Sequence, residues 1–475
     1  MFRYGPIVAI VMFGWIPAVV AIFMFVRPPR RAVVISFLVA WMFLPMAMFE
    51  FQGIPDYTKM SATCTGIMIC ILLMDTARMM QYRPHWADVP MIVWCLVPFM
   101  SSIDNGLGVY DGMSAVVSQS IAWGIPYFIG RIYFNDHAKV RELAVALMIG
   151  GLIYVPLCLW EVRMSPQLHR TFYGFHQHSF YSHIRMSGTT ELYRPMVFMQ
   201  SGIMVGNWIA TAGLAAAWLW LSGSKRQLWS VPLWMFAGLL LVTEYLCRSL
   251  GAMALMIAGL GAMMWIKVLR NGLPVIIMLA VPLIYMPIQI IKPWDGMVVV
   301  DWIAENINED RAKSLQGRFE KEVQFVNRAK EKPVWGWGSG DRMRPYRQEA
   351  HAQTRRLGVD GMWYIAMGKY GMVGLISFTL VIVLPAMLWI RRCRPGKWMT
   401  GPAAGASVLA MILGLYMIDN LLNAMINPIY MIGAGALTSA CLLQKVPVLG
   451  PIRRPVRATR RRPATPSRPP NPTAS

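Results

Sequence analysis

The chain has 475 residues, of which 56% are hydrophobic and 14% are charged, and its formal net charge is +22. Soluble domains carry about 25% charged residues, so this composition excludes a soluble globular protein and indicates a polytopic membrane protein. The basic residues are divided among many segments and form no single patch, which argues against a nucleic-acid partner. The seven cysteines show no CxxC spacing and predict neither a disulfide framework nor a zinc site.

A helix that crosses a bilayer needs about 20 mostly apolar residues, and the sequence predicts about thirteen such spans. The first has only Arg3 as a basic residue before it and no small-residue cleavage site after it, so we expect a retained span and not a signal peptide. The fold class is therefore an all-α membrane domain over residues 1–444. The predicted spans are 6–26, 32–50, 59–75, 87–103, 112–134, 140–160, 196–221, 229–247, 249–269, 273–291, 362–390, 402–420 and 428–444.

Basic residues alternate along the connecting loops. Clusters such as "RPPRR" (27–31) and "RRCRPGK" (391–397) fall on one side of the predicted bundle, whereas the loop "DNGLGVYDG" on the other side has no basic residue. Because basic loops stay cytoplasmic, this pattern predicts an outside N-terminus and a cytoplasmic C-terminus. Residues 445–475 are rich in Pro and Arg without any acidic residue, which predicts a disordered cytoplasmic tail that can contact anionic membrane lipids.

Two loops are much longer than the others, and both are predicted to lie outside, at about 161–195 and 292–361. Loops longer than about 15 residues are usually functional or disordered, and the aromatic content and balanced charge of these two predict order. The second contains "SLQGRFEKEVQFVNRAKEKP", in which Phe319, Val323 and Val326 recur at helical spacing before Pro333. This pattern predicts an amphipathic helix that lies at the membrane surface or against the bundle, and its alternative is a solvated connecting helix. Because both long loops are predicted to lie outside, the extracytoplasmic face is the predicted working face.

The first long loop is rich in histidine. His169, His176, His178 and His183 lie among five aromatic residues in "LHRTFYGFHQHSFYSH". A zinc site is one interpretation, but no Cys or carboxylate completes a ligand spacing. We favour an aromatic cap over a lipid or sugar site, because aromatic faces suit both acyl chains and pyranose rings, and we expect no metal.

Several motifs together resemble the O-antigen ligase and O-antigen polymerase family. Arg318 is followed by Pro333, Gly336 and Gly338 at the family's spacing, and "DGMWYIAMGKYGMVGLISF" resembles the start of the family's next span. "LCRSLGAMALMIAGL" resembles its Ser-Arg-Gly-rich helix start, and "RMSGTTELYRP" (185–195) resembles its Arg-x-x-Gly-Thr stretch. The similarity covers about residues 185–390, in the same order and on the same predicted side of the membrane.

The resemblance implies a metal-independent, inverting glycosyltransferase of the C-type architecture in the bacterial inner membrane, without a cofactor. Such enzymes take a glycan from an undecaprenyl-diphosphate carrier on the outer face. A ligase moves it to lipid A-core, and a polymerase moves it to another glycan chain. The sequence does not distinguish these two acceptors.

Arginines are the candidate ligands of the leaving diphosphate, because their charge is permanent and their contacts are bidentate. Arg248 lies in a very short loop between two apolar spans, where a charge is costly without an anionic partner; its alternative is snorkelling to the headgroups. Arg318 follows from the family spacing alone. Arg185 and Arg194 flank the Gly-Thr stretch and are weaker candidates.

Gly336, Trp337 and Gly338 form a candidate substrate loop, since glycine allows close backbone approach.

The attacking hydroxyl needs a base within hydrogen-bond reach. The family offers a histidine at the start of the span after the long loop, and this chain has Asp360 there, followed by Gly361 in place of the usual Asn. We favour Asp360 as base or acceptor-orienting group, with His351 second. Asp360 could instead cap the helix that begins near Met362, and His351 could be a solvated loop residue.

Two other classes remain as alternatives. A transporter or flippase would place charged residues inside its spans, and the main ones here are Glu244, Lys369 and Asp419 near predicted span ends. A catalytically inactive membrane scaffold is compatible with the departure from the family pattern at Asp360. Neither alternative is excluded by the sequence.

Overall fold

A computed structural model describes residues 4–51, 54–187, 190–306, 309–348, 354–356, 358 and 360–442. His351 and the predicted tail, 445–475, lie outside these residues. Within the described part of the chain, helices dominate and the strands pair only as two-stranded antiparallel hairpins. The protein is therefore all-α in class, as the composition predicts.

The helices occur in chain order as α1 (Pro6–Phe25), α2 (Pro29–Phe43), α3 (Lys59–Met74), α4 (Thr76–Met80), α5 (Val89–Asp104), α6 (Val109–Gln119), α7 (Ile125–Tyr133), α8 (His137–Met164), α9 (Leu168–Tyr173), α10 (Gly202–Leu221), α11 (Leu233–Leu246), α12 (Leu250–Leu269), α13 (Leu273–Ile291), α14 (Met297–Asn306), α15 (Glu309–Lys330), α16 (Met362–Arg392), α17 (Ala404–Leu422) and α18 (Pro428–Leu442). The hairpin strands are β1 (Met48–Phe51), β2 (Ile54–Thr58), β3 (Ile184–Ser187), β4 (Thr190–Tyr193), β5 (Gln227–Leu228), β6 (Val231–Pro232), β7 (Tyr346–Gln348) and β8 (Thr354–Arg356).

Eight helical segments of the described chain are long and apolar enough to cross a membrane. They are α1, α8, α10, α12, α13, α16, α17 and the segment Trp86–Asp104, which contains α5. Three shorter apolar helices, α3, α11 and α18, have 16, 14 and 15 residues. The long apolar helices agree with a multi-pass membrane protein, while the count of about thirteen spans stays a prediction.

Two predicted spans differ from the observed helices for backbone reasons. The predicted span 32–50 ends as a helix at Phe43, because Leu44 precedes Pro45 and is extended; the chain then turns into the β1–β2 hairpin. The predicted span 112–134 is interrupted by a π-helical turn, Ser120–Gly124. Pro126 follows at the start of α7 and cannot donate a backbone hydrogen bond, and the wider turn absorbs this defect.

Close helix packing in the core depends on small residues. Cβ atoms at Gly130 and Gly435 would lie 2.2 Å from the Ile432 carbonyl oxygen and 2.0 Å from the Tyr127 carbonyl oxygen. Side chains at these glycines would therefore push α7 and α18 apart. Membrane helices lack a strong hydrophobic drive to associate, so such backbone-to-backbone contact is a main source of their affinity.

The connections between the long helices form two groups at opposite ends of the bundle. One group, which we call the "basic end", carries residues 26–31, 134–141, 222–227, 270–272 and 391–403. There the guanidinium of Arg30 binds Glu142 at 2.7 Å, and Ser224 donates to the carbonyl oxygen of Gly401 at 3.1 Å. The "loop end" carries the described residues of the segments 161–201, 247–250, 292–361 and 422–427. The basic clusters thus share one end, as the charge pattern predicts.

Candidate functional site

The loop end contains a cavity of about 280 Å³ that three of the predicted arginines line. Arg185 and Arg194 reach it from the β3–β4 hairpin, and Arg318 reaches it from α15. Its other walls come from the first turns of α10 and α12, from α14 and from the end of α17. We call it the arginine cavity. Residues far apart in sequence, which were candidates on separate grounds, therefore lie at one place.

The loop that carries Arg185 and Arg194 is fixed by the carboxylate of Glu161, near the end of α8. This side chain is 0% exposed. It accepts backbone N–H hydrogen bonds from Leu168 at 2.9 Å and from Met196 and Val197 at 2.7 Å each. Three hydrogen bonds from backbone N–H groups compensate the burial of this polar side chain. They also tie the two ends of the loop to α8, and hence position the arginines between them.

Arg194 is held by its surroundings more tightly than Arg185. Its side chain is 5% exposed, and its Nη2 donates to the carbonyl oxygen of Arg248 at 3.1 Å. A Cβ at Gly202 would lie 2.4 Å from the Arg194 stem, so glycine is needed there. Arg185 is half-buried and donates from Nη1 to the carbonyl oxygens of Ser182 and Ile184 at 2.9 and 2.7 Å.

Arg318 is placed by the amphipathic helix α15. Phe319 and Val326 are buried and Val323 is half-buried, which confirms the predicted apolar face. Arg318 Nη1 lies 3.3 Å from both the Leu422 carbonyl oxygen and the Asn423 side-chain oxygen. A cation at the carboxyl end of α17 is favoured by the helix dipole.

The start of α12 adds a second positive feature to the arginine cavity. Ser249, Leu250 and Gly251 line it, and Ser249 makes no side-chain cap bond within the described residues. The first N–H groups of this 20-residue helix therefore face the cavity with the positive end of the helix dipole. Arg248 precedes this turn in a left-handed conformation, with φ of 54°, and contributes its carbonyl oxygen to Arg194.

The histidines of the loop hold it to the bundle. His169 Nε2 accepts from the Met46 N–H at 3.2 Å, and His183 Nε2 accepts from the Gly202 N–H at 3.0 Å. Burial lowers the pKa of both histidines to about 4, so both rings are neutral at pH 7. In the described part of the chain, no group of three or more His, Cys, Asp and Glu side chains could hold a metal ion.

The candidate substrate loop packs against α16. The N–H groups of Trp337 and Gly338 donate to the carbonyl oxygens of Gly368 and Lys369 at 2.9 and 3.0 Å. These acceptors lie just before a kink at Gly371, where φ is +63°. The kink prevents the carbonyl oxygens of Gly368 and Lys369 from pairing within α16, and the loop supplies donors to them. The glycines of the loop allow its backbone to approach α16 this closely.

Asp360 pairs with Lys321, one turn along α15 from Arg318. The Asp360 carboxylate lies 2.9 Å from the Lys321 ammonium, and its side chain is 32% exposed. The helix-capping interpretation is wrong, because Gly361 is the capping residue and the Tyr364 hydroxyl accepts the N–H groups of both Asp360 and Gly361. Asp360 is therefore near the arginine cavity without lining it.

A second cavity, of about 530 Å³, lies across the start of α16 from the first. Trp94, Trp123 and Tyr370 give it an aromatic wall, while Asp111 and Lys369 add charge. We call it the aromatic cavity. The two cavities are neighbours: the Met362 N–H donates to the Asn423 carbonyl oxygen at 3.1 Å, and Met362 lines the aromatic cavity while Asn423 lines the arginine cavity.

Sequence reasoning missed Glu322. It is buried on α15 and accepts a hydrogen bond from the Tyr285 hydroxyl at 2.7 Å, which joins α15 to α13. Burial raises the pKa of the Glu322 carboxyl to about 7. The signal was present, since Glu322 lies three residues after Phe319 and four before Val326, on the apolar face.

The His183 contact makes the loop sensitive to acid. Its folded pKa of about 4 lies below the ordinary 6.5, so its stabilising effect is complete above pH 6.5 and is lost as pH falls through 4. Protonation removes the acceptor for the Gly202 N–H. The hydrogen-exchange rate of the Gly202 amide, divided by its intrinsic rate at each pH, should rise by up to about tenfold for each pH unit as the pH falls from 6.5 to 4.

Hydrogen exchange of a peptide covering 196–204 measures this effect. His183→Gln keeps an acceptor that does not titrate in this range and should flatten the profile. An equal pH dependence in the variant and the parent would show that His183 is not responsible.

Comparison with known protein families and with curated proteins finds no match for this chain. The interpretation of the site therefore rests on its geometry. Three arginines, a helix N-terminus and apolar walls meet in one cavity, beside a second cavity with aromatic walls.

Proposed function

We propose that the protein is a membrane glycosyltransferase that moves a glycan from a polyprenyl-diphosphate carrier to a sugar hydroxyl during assembly of a cell-surface polysaccharide. The observation that carries this proposal is the arginine cavity, where Arg185, Arg194 and Arg318 line one space with the start of α12. Such a space suits a dianionic group at the membrane surface.

The walls of the arginine cavity fit the amphipathic form of the donor. Leu250, Ala254, Ile303 and Leu315 provide apolar surface beside the arginines. A diphosphate would contact the guanidinium groups and the α12 N-terminus, while the first isoprene units would lie on the apolar wall. Positive charge already in place stabilises the leaving diphosphate as the glycosidic bond breaks.

The chemistry requires one base and no acid. The acceptor oxygen attacks the anomeric carbon, its proton passes to the base, and the diphosphate departs with the bonding electron pair. Asp360 is the base or acceptor-orienting group in this proposal, and the Lys321 ammonium holds its carboxylate in place. Attack from the face opposite the leaving group inverts the anomeric configuration.

The aromatic cavity is the proposed acceptor site. Buried aromatic rings form its floor, and the side chains of Asp111, Ser118 and Gln119 can exchange hydrogen bonds with sugar hydroxyls. The acceptor is lipid A-core in a ligase or another glycan in a polymerase. Asp360 lies two residues before Met362, where the walls of the two cavities are hydrogen-bonded, so in this proposal donor and acceptor meet near it.

A transporter is supported less well. The cavity beneath the arginine cavity, between α10, α12, α17 and α18, contains Asp419 but has a volume of only about 30 Å³. That volume corresponds to about one water molecule. A glycan does not fit there, so this space offers it no route between the two ends of the bundle.

Loss of an arginine should slow transfer without unfolding the protein. Arg318→Ala and Arg185→Ala should each lower turnover by ~10²-fold or more, because both side chains line the arginine cavity and a charge contact to the leaving group is lost. The measurement is transfer from a polyprenyl-diphosphate-linked glycan by purified protein with an unchanged melting temperature. Arg328→Ala is the matched control, since Arg328 is on the same helix but stacks on Trp337, 3.5 Å from the ring centroid. Near-normal turnover by both test variants would remove these arginines from the site.

The base can be identified by comparing its two candidates. Asp360→Asn should lower transfer by roughly 10²- to 10⁴-fold, the usual contribution of a general base, whereas His351→Ala should remain active. Both variants are assayed at matched expression, with Asp360→Glu as the conservative control. Full activity of Asp360→Asn together with an inactive His351→Ala would assign the base to His351.

In the proposed orientation, both cavities open on the extracytoplasmic side of the inner membrane, and the basic end faces the cytoplasm. Alkaline phosphatase fused after Ser339 should therefore be active, and the same enzyme fused after Ser475 should be inactive. A green fluorescent protein at Ser475 should give the reverse result and serves as the control. Phosphatase activity at both positions, or at neither, would contradict this topology.

A further inference from the structure

The basic end has a large cavity of its own, between α2 and α8. Its volume is about 660 Å³, within the range of roughly 300–1,000 Å³ that is usual for small-molecule sites. We call it the α2–α8 groove. It is lined by neither the arginines nor the aromatic residues of the proposed glycosyltransferase site.

Polar contacts hold the two helices at both ends of the groove. At its mouth, Arg30 binds Glu142 through two hydrogen bonds of 2.7 and 3.0 Å. At its far end, the Tyr154 hydroxyl donates to the Met42 carbonyl oxygen at 2.7 Å. The helices are thus fixed relative to each other while a space remains between these contacts.

The wall between the two contacts is apolar. Val34, Leu38, Val145 and Ile149 line it, and Ile35 on the same wall is exposed. Along α2, the lining runs from Arg30 to Phe43, which corresponds to about 20 Å of helix. One leaflet of the hydrocarbon core is roughly 15 Å thick. The groove can therefore hold an acyl chain along the depth of one leaflet.

The mouth of the groove carries more positive than negative charge. Arg30, Arg31, Arg141 and Lys225 line it, and the only carboxylate among its lining residues is Glu142. Arg30 already pairs with that carboxylate. A cationic mouth above an apolar channel complements a molecule with an anionic head and a long apolar tail.

We propose that the α2–α8 groove is a binding site for an anionic phospholipid from the leaflet at the basic end. One acyl chain lies in the groove, and the headgroup phosphate contacts Arg31 and Arg141. A free phosphate would use the mouth and leave the apolar wall unoccupied. This site is independent of glycosyl transfer, so its test does not depend on that activity.

The test is native mass spectrometry of the full-length protein in detergent, titrated with phosphatidylglycerol or with phosphatidylcholine of the same acyl chains. The parent should bind phosphatidylglycerol at least about tenfold more tightly. Arg31→Ala/Arg141→Ala should remove this preference, because the headgroup contacts are lost. Arg83→Ala/Arg391→Ala is the matched control and should keep it, since both residues are exposed and neither lines the groove.

A second variant tests the acyl chain separately. Ala146→Trp fills the wall without changing charge and should weaken phosphatidylglycerol binding, whereas glycerol 1-phosphate alone should not compete. Equal binding of the two lipids by the parent would overturn the proposal. So would competition by glycerol 1-phosphate together with full binding by Ala146→Trp, which would mean a site for free anions.

Discussion

The buried carboxylate of Glu161 determines where the candidate site can form. A long loop connects α8 to α10, and the apolar surface of the bundle alone does not determine the course of its backbone. Glu161 collects the N–H groups at both ends of that loop, and Val197 adopts a left-handed φ of 52° at one of them. Arg194 lies just before these N–H groups. Its position beside α12 is therefore set by a residue that does not line the arginine cavity.

A buried carboxyl group also helps to position the arginine on the other side of the arginine cavity. Arg318 reaches the end of α17 only because α15 lies against the bundle through Phe319 and Val326. Glu322, on the same face, accepts its hydrogen bond from α13. Glu161 thus ties the loop that carries Arg194 to α8, and Glu322 ties the helix that carries Arg318 to α13. Such support limits the movement of the arginines and keeps their charge in one place.

Much of the architecture could be predicted from the sequence, because hydrophobic length and periodicity are local properties. The apolar face of α15 and the grouping of the basic loops followed from this information. Local signals could not predict contacts between distant segments. Glu161 resembled an ordinary charge at a helix end, and Asp360 had the residue type of a cap but pairs with Lys321 instead. Gly336 and Gly338 suggested contact with a substrate, and their observed neighbour is α16, about thirty residues further on.

The kink in α16 has a mechanical consequence. The N–H groups of Trp337 and Gly338 occupy the carbonyl oxygens before Gly371, and the Met372 N–H donates to the Pro333 carbonyl oxygen at 2.7 Å. The Trp337 indole also donates to the Arg328 carbonyl oxygen at 2.9 Å, on α15. Straightening α16 would return the Gly368 and Lys369 carbonyl oxygens to bonds within the helix. The Trp337 and Gly338 N–H groups and the Pro333 carbonyl oxygen would then lose their partners, at a cost of about 1–3 kcal/mol for each group that stays buried. The residues of α16 before Gly371 and the carboxyl end of α15 are therefore held by the same short loop, and this part of α16 cannot rotate about Gly371 without breaking that loop's hydrogen bonds.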